Sequence, residues 1–64
     1  MQIDVYNDGS VKTVHISDEE LLRDYEYVCE SSECDALAFN GDESECPVCH
    51  NRDCVVSVEQ YLSE

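Results

Sequence analysis

Basic side chains are nearly absent from this chain: Lys12, Arg23 and Arg52 stand against 16 Asp and Glu, giving a formal net charge of −13 over 64 residues. Binding to nucleic-acid phosphates or an anionic membrane surface draws on Lys and Arg, so direct contact with either is not expected. Long hydrophobic runs are lacking too. No 18-residue apolar stretch occurs and no apolar segment follows Met1, so neither a helical membrane span nor a secretory leader is expected. Internal repeats and low-complexity tracts are also missing. At this length there is no room for a second core. A chain this small buries only about 60% of the surface it exposes when unfolded, and it commonly relies on disulfides, a metal or a partner.

What the chain does have is cysteine. Four of its five fall into two close pairs, Cys29-x4-Cys34 and Cys46-x2-Cys49, separated by 11 residues. The odd count and the missing leader point to the reducing cytoplasm, where close Cys pairs are metal ligands or redox centres more often than bridges. Cys46-Pro47-Val48-Cys49 lacks the βαβ setting of a thioredoxin-type motif. A structural Zn²⁺ takes four tetrahedral thiolate or imidazole ligands, and two short Cys pairs on facing loops deliver them; iron fits the same cage. Zinc would not relieve the acidity. Four thiolates add −4 and the ion +2, so the loaded chain carries a formal charge of about −15.

Two residues compete for places in this set. Cys49-x4-Cys54 copies the spacing of Cys29-x4-Cys34, but the two-residue separation of Cys46 and Cys49, with Pro47 between, is the tighter and commoner knuckle. Cys54 then reads as a small buried hydrophobe beside Val55. His50 is expected in the turn after the knuckle, where His tolerates positive φ. His15, between Val14 and Ile16, reads as a strand or surface histidine with no catalytic partner.

Residues 1–6 alternate apolar and polar, Asn7-Asp8-Gly9 interrupts, and Val11, Val14 and Ile16 resume an apolar run, which predicts a β-hairpin. Ser17-Asp18-Glu19-Glu20 reads as a capping box opening a helix of about two turns that ends near Asp24, with Leu21 and Leu22 facing the hairpin. Tyr25, Tyr27 and Cys29 fit a strand feeding the first metal loop. Residues 36–39 read as a strand, Asn40-Gly41 as a turn and residues 42–45 as a polar loop. Val55, Val56 and Val58 predict a last strand, after which Tyr61 and Leu62 pack back or fray.

Residues 25–58 resemble the zinc ribbon superfamily, whose small members include rubredoxin-type ribbons. Tyr25-Glu26-Tyr27-Val28-Cys29 is similar to the aromatic strand entering the first knuckle of the FmdB-type regulatory ribbons, and Cys46-Pro47-Val48-Cys49-His50 to their second knuckle. The first knuckle departs from the family: it has four residues between its cysteines where the family usually has two. The resemblance implies Cys29, Cys34, Cys46 and Cys49 as ligands of a structural zinc and three strands around them. The expected architecture is a small β-rich metal-stabilised domain, a zinc ribbon in one 64-residue domain, with residues 1–24 adding an N-terminal β-hairpin and one short α-helix.

A four-thiolate zinc site has no open coordination position and 64 residues leave little volume for a substrate pocket, so catalysis is not expected. Expected instead is a small acidic adaptor or regulator docking on a basic protein surface, as in transcription or replication machinery. Asp18, Glu19, Asp24, Glu26, Glu30, Glu33, Asp42, Glu43 and Glu45 are the candidate steering charges. Tyr6, Tyr25, Tyr27 and Tyr61 are candidate anchors, though packing accounts for at least two of them. The N-terminal hairpin and helix are further candidate docking elements. Two alternatives share the acidity: a phage-type DNA mimic blocking a nucleic-acid-binding groove, and a housekeeping ribbon of a halophile whose acids solvate its surface.

Overall fold

The computed structural model describes residues 1–41 and 45–64; the steering-charge candidates Asp42 and Glu43 and most of the 42–45 loop lie outside them. Strands β1 (Gln2–Asn7) and β2 (Ser10–His15) form the predicted hairpin, registered from Gln2 against His15 to Asn7 against Ser10. The two turn residues, Asp8 and Gly9, have φ of 51° and 83°. Two consecutive positive φ values are what a two-residue hairpin turn of the right twist requires, and Asp-Gly supplies them at low cost.

Helix α1 (Asp18–Asp24) starts where the capping box places it, with the Ser17 hydroxyl accepting from the Glu20 N–H at 3.3 Å. The return bond differs from the motif. The Glu20 carboxylate accepts from the Ser17 hydroxyl at 3.2 Å, where a capping box predicts the Ser17 backbone N–H. Seven residues give α1 one inward face, and Leu21 fills it at 0% exposure. Leu22, expected beside it, is 48% exposed, because its 100° rotation from Leu21 carries it off the contact line.

Tyr25 leaves the helix in an extended conformation and β3 (Tyr27–Cys29) follows, then β4 (Leu37–Phe39) and β5 (Val55–Ser57). The strand expected to run through Val58 stops at Ser57. There the Ser57 hydroxyl accepts from the Gln60 N–H at 3.1 Å and caps a second helix, α2 (Val58–Ser63), which adds to the single helix anticipated. Val58 is buried as its first residue, and Tyr61 and Leu62 pack back on the core.

The five strands form one sheet in the order β2-β1-β4-β3-β5. Three of its strands pair antiparallel, with β3 between β4 and β5. The hairpin joins through a short parallel pairing, Asp4 against Leu37 and Val5 against Ala38. The hairpin is therefore part of the same sheet. Ile3 and Val5 lie in its core, so the hairpin holds the fold as well as offering a surface.

Because strand side chains alternate, this sheet serves two cores at once. On one face Ile3, Val5, Val28 and Ala38 meet Leu21 of α1 and Val58 of α2. On the other, Leu37, Phe39 and Cys29 meet Cys34 and Cys46 from the connecting loops, with Tyr6, Tyr27 and Val55 at the margin. The result is a small β-rich domain with helices on one side and cysteine loops on the other. No helix among the described residues is long and apolar enough to cross a membrane.

Candidate metal centre

Cys29 is the last residue of β3 and Cys34 lies in the loop to β4, while Cys46 and Cys49 lie in the loop between β4 and β5. The fold brings these four together: their Sγ atoms all lie within 4.8 Å of one another. Cys29 Sγ is 3.6 Å from Cys49 Sγ, and Cys34 Sγ is 3.6 Å from Cys46 Sγ. Sulfurs bound at about 2.3 Å to a common ion stand about 3.8 Å apart along a tetrahedral edge, so the cluster has the dimensions of a four-sulfur metal cage. All five cysteines are free thiols. Four close cysteines in this arrangement could hold a metal ion.

The two loops carrying the cage are built alike. In the second, the His50 N–H donates to the Cys46 carbonyl at 2.9 Å and His50 has φ 59°. In the first, the Asp35 N–H donates to the Ser31 carbonyl at 2.8 Å and Asp35 has φ 56°. Ser31 thus stands where Cys46 stands, Cys34 where Cys49 stands and Asp35 where His50 stands. The four-residue separation in the first pair follows from this: the turn is Ser31-x2-Cys34, and Cys29 contributes its thiol from the strand end two residues upstream.

Ser31 is the residue at the cysteine cluster that sequence reasoning missed. It is buried, and its hydroxyl accepts from the Cys34 N–H and the Cys29 thiol at 3.3 Å each and lies 3.5 Å from Cys49 Sγ. The signal was present in the chain, since Ser31-x2-Cys34 repeats the spacing of Cys46-x2-Cys49.

This wiring separates the thiols electrostatically. Burial pushes the Cys34 thiol up to about 12, against the opposing Ser31 hydroxyl, and burial raises Cys29 likewise. Cys49, at the open side, is brought down to about 6, chiefly by its hydrogen bond with Ser31, with the Asn51 backbone and the Cys29 and Cys46 thiols adding to it. The anion is thus favoured at Cys49 and disfavoured at Cys29 and Cys34, where a cation would help to draw off the protons.

Cys54 lies outside the cluster. It is half-buried, packed at the margin of the cysteine core, and its carbonyl accepts from the Glu30 N–H at 2.7 Å, tying the first loop to the approach of β5. His50 occupies the positive-φ turn position and is exposed, with Nδ1 3.7 Å from Glu45 Oε2; His15 is an exposed strand residue opposite Gln2. All four tyrosines are half-buried: Tyr25 and Tyr61 pack on the helix-side core and Tyr6 and Tyr27 on the cysteine side. The Tyr25 hydroxyl accepts from Asn7 Nδ2 at 2.9 Å. Packing thus engages all four candidate anchors. Comparison with models of protein families, with curated proteins and with solved structures gives no match to this chain.

Proposed function

We propose that this chain is a zinc-stabilised ribbon that performs no catalysis and acts as a protein-binding adaptor or regulator docking on a basic protein surface. One observation carries this reading. The four sulfurs that would hold the ion take up all four tetrahedral positions, leaving no open one for chemistry, while the surface around them is overwhelmingly acidic. Two of the three basic side chains are already paired with the chain's own acids, Arg23 with Asp24 at 3.2 Å and Arg52 with Glu45 at 3.3 Å. The unbalanced carboxylates then steer the chain toward positively charged partners and away from phosphate backbones. Zinc suits the site better than a metal requiring an oxygen-rich shell, since the donor set is all sulfur.

The test is affinity capture from a cytosolic lysate with the zinc-loaded chain, eluting first with duplex DNA and then with salt, and identifying each fraction by mass spectrometry. The expected result is a basic protein that DNA leaves in place and salt releases. Release by DNA contradicts the adaptor and fits a mimic. An empty column, with folding that improves as salt rises, contradicts it in favour of an acid-solvated surface with no partner.

A further inference from the structure

The cysteine-side face of the sheet extends past the cage onto the hairpin. Asp4 stands there between Thr13 of β2 and Leu37 of β4, its neighbours in register. Hollows lie on both sides of it. One, of about 100 Å³, is lined by Val11, Leu37, Cys34 and Val48 with Asp4 and Glu33 at its rim. The other, of about 330 Å³, is lined by Asp4, Thr13, Asp35 and Ala36 among others. Asp4 lines both, so the two hollows adjoin there, and together they are the trough of the proposal below. Val11 and Val48, both lining the smaller hollow, are 48% and 47% exposed.

The charges along it are of one sign. Asp4, Glu33 and Asp35 have no ion-pair partner among the described residues, and Lys12, on β2, pairs with Val5 and so projects to the other face. Thr13 Oγ1 donates to Asp4 Oδ1 at 2.6 Å, which fixes that carboxylate and leaves its second oxygen for an incoming donor. We propose that this trough docks an extended basic segment of a partner protein, seating one aliphatic side chain between Val11 and Val48 while flanking Lys or Arg side chains meet Asp4, Glu33 and Asp35. Charge complementarity selects this occupant. A second copy of the chain brings a like formal net charge of −13, and nucleic acid brings only phosphates. This assignment rests on the docking function proposed above and gives it a place.

The probe is a short synthetic peptide with one Leu flanked by Lys on both sides, titrated into the ¹⁵N-labelled, zinc-loaded full chain. Controls are the same peptide with Gly for Leu, and polylysine. The expected result is a set of amide shifts confined to Asp4, Val11, Glu33, Leu37 and Val48. Val11→Ser and Val48→Ser should each weaken binding about tenfold, and the Gly peptide should be weaker to a similar degree. Both substitutions are at exposed positions, and unchanged zinc content and spectral dispersion establish that each variant is folded. Shifts centred on the α1 acids, or affinity unchanged in Val11→Ser and Val48→Ser, overturn the trough while leaving a basic-docking function standing. Failure of both peptide and polylysine to bind overturns the trough together with that function.

Discussion

The two faces of the sheet bury similar strands by different means. On the helix side, Leu21 and Val58 close the core with ordinary aliphatic burial, helped by Val14, Ile16, Tyr25 and Leu62 at its edges. On the cysteine side, Leu37 and Phe39 are covered by loops whose inward groups include thiols, with Tyr6 and the tilted Tyr27–Phe39 ring pair, centroids 5.7 Å apart, adding aromatic packing. A buried thiol resists ionising, so in the zinc-bound form proposed above the ion, by binding the thiolates, would hold the loops of this side. Val28 and Cys29 are consecutive residues of β3 yet belong to opposite cores. One strand thus joins the two faces, so loss of order on the cysteine side is expected to reach the helix side.

The largest break in this symmetry should come from the cage. Structural zinc contributes on the order of 10 kcal/mol in small domains, more than a chain of this size holds in reserve. Cys46→Ser is therefore expected to abolish stoichiometric zinc uptake and cooperative unfolding, while Cys54→Ser, outside the cluster, retains both; metal analysis beside thermal melts reads this directly. A full metal equivalent in Cys46→Ser would remove that residue from the ligand set.

On the helix side, Leu21→Ala should cost about 2–5 kcal/mol of the zinc-loaded protein's stability by leaving a cavity, whereas Leu22→Ala should stay within about 0.5 kcal/mol. Chemical denaturation of the two variants compares them. Equal losses would mean that α1 does not close this core by Leu21 alone.

Acid should act on the cysteine side selectively. Cys29 and Cys34 hold their protons at neutral pH, so loading a divalent ion at pH 7 is expected to release at least two protons, and zinc affinity should fall as pH falls. The fall should steepen below about pH 6, where Cys49 also takes up its proton. Calorimetry in buffers of different ionisation enthalpy counts the protons; an uptake with no release would contradict thiolate ligation.

The smallest effect is expected at Ser31. Ser31→Ala removes the hydroxyl that touches Cys29 and Cys49 and accepts from Cys34, and should weaken zinc binding by about 10- to 100-fold without changing its stoichiometry. Ser31→Cys, placing a thiol where the second loop has Cys46, should remain folded and zinc-loaded. Competition with a calibrated chelator measures both variants, and an unchanged affinity in Ser31→Ala would reduce the hydroxyl to loop packing.

Local chemistry made much of this legible in advance. The Asp8-Gly9 turn, the Ser17 cap and the β-branched runs each determine structure within a few residues, and the hairpin, α1, β3 and β4 stand close to where those signals place them. The four clustered cysteines were readable because metal geometry constrains spacing. Other features depended on competition between signals. Val58 has strand propensity, but the Ser57 cap and the burial of Val58 under β3 won it for α2. Leu22 matched Leu21 in hydrophobicity, and only the sheet's position decides which one faces it. The parallel pairing of β1 with β4 leaves no pattern in sequence, since it joins segments more than 30 residues apart. Ser31 went unread because its spacing to Cys34 matches that of Cys46 to Cys49 only once a serine is allowed in a cysteine's place, which the matching turns in the fold make plain.

The most direct test is an amide NMR titration of the reduced, metal-free chain with zinc. The coupled two-face architecture predicts a poorly dispersed starting spectrum that becomes fully dispersed at one equivalent, with the amides of Val28 on the helix side and Cys29 on the cysteine side appearing together. A dispersed spectrum before any metal is added, or Val28 ordered while Cys29 is not, would contradict it.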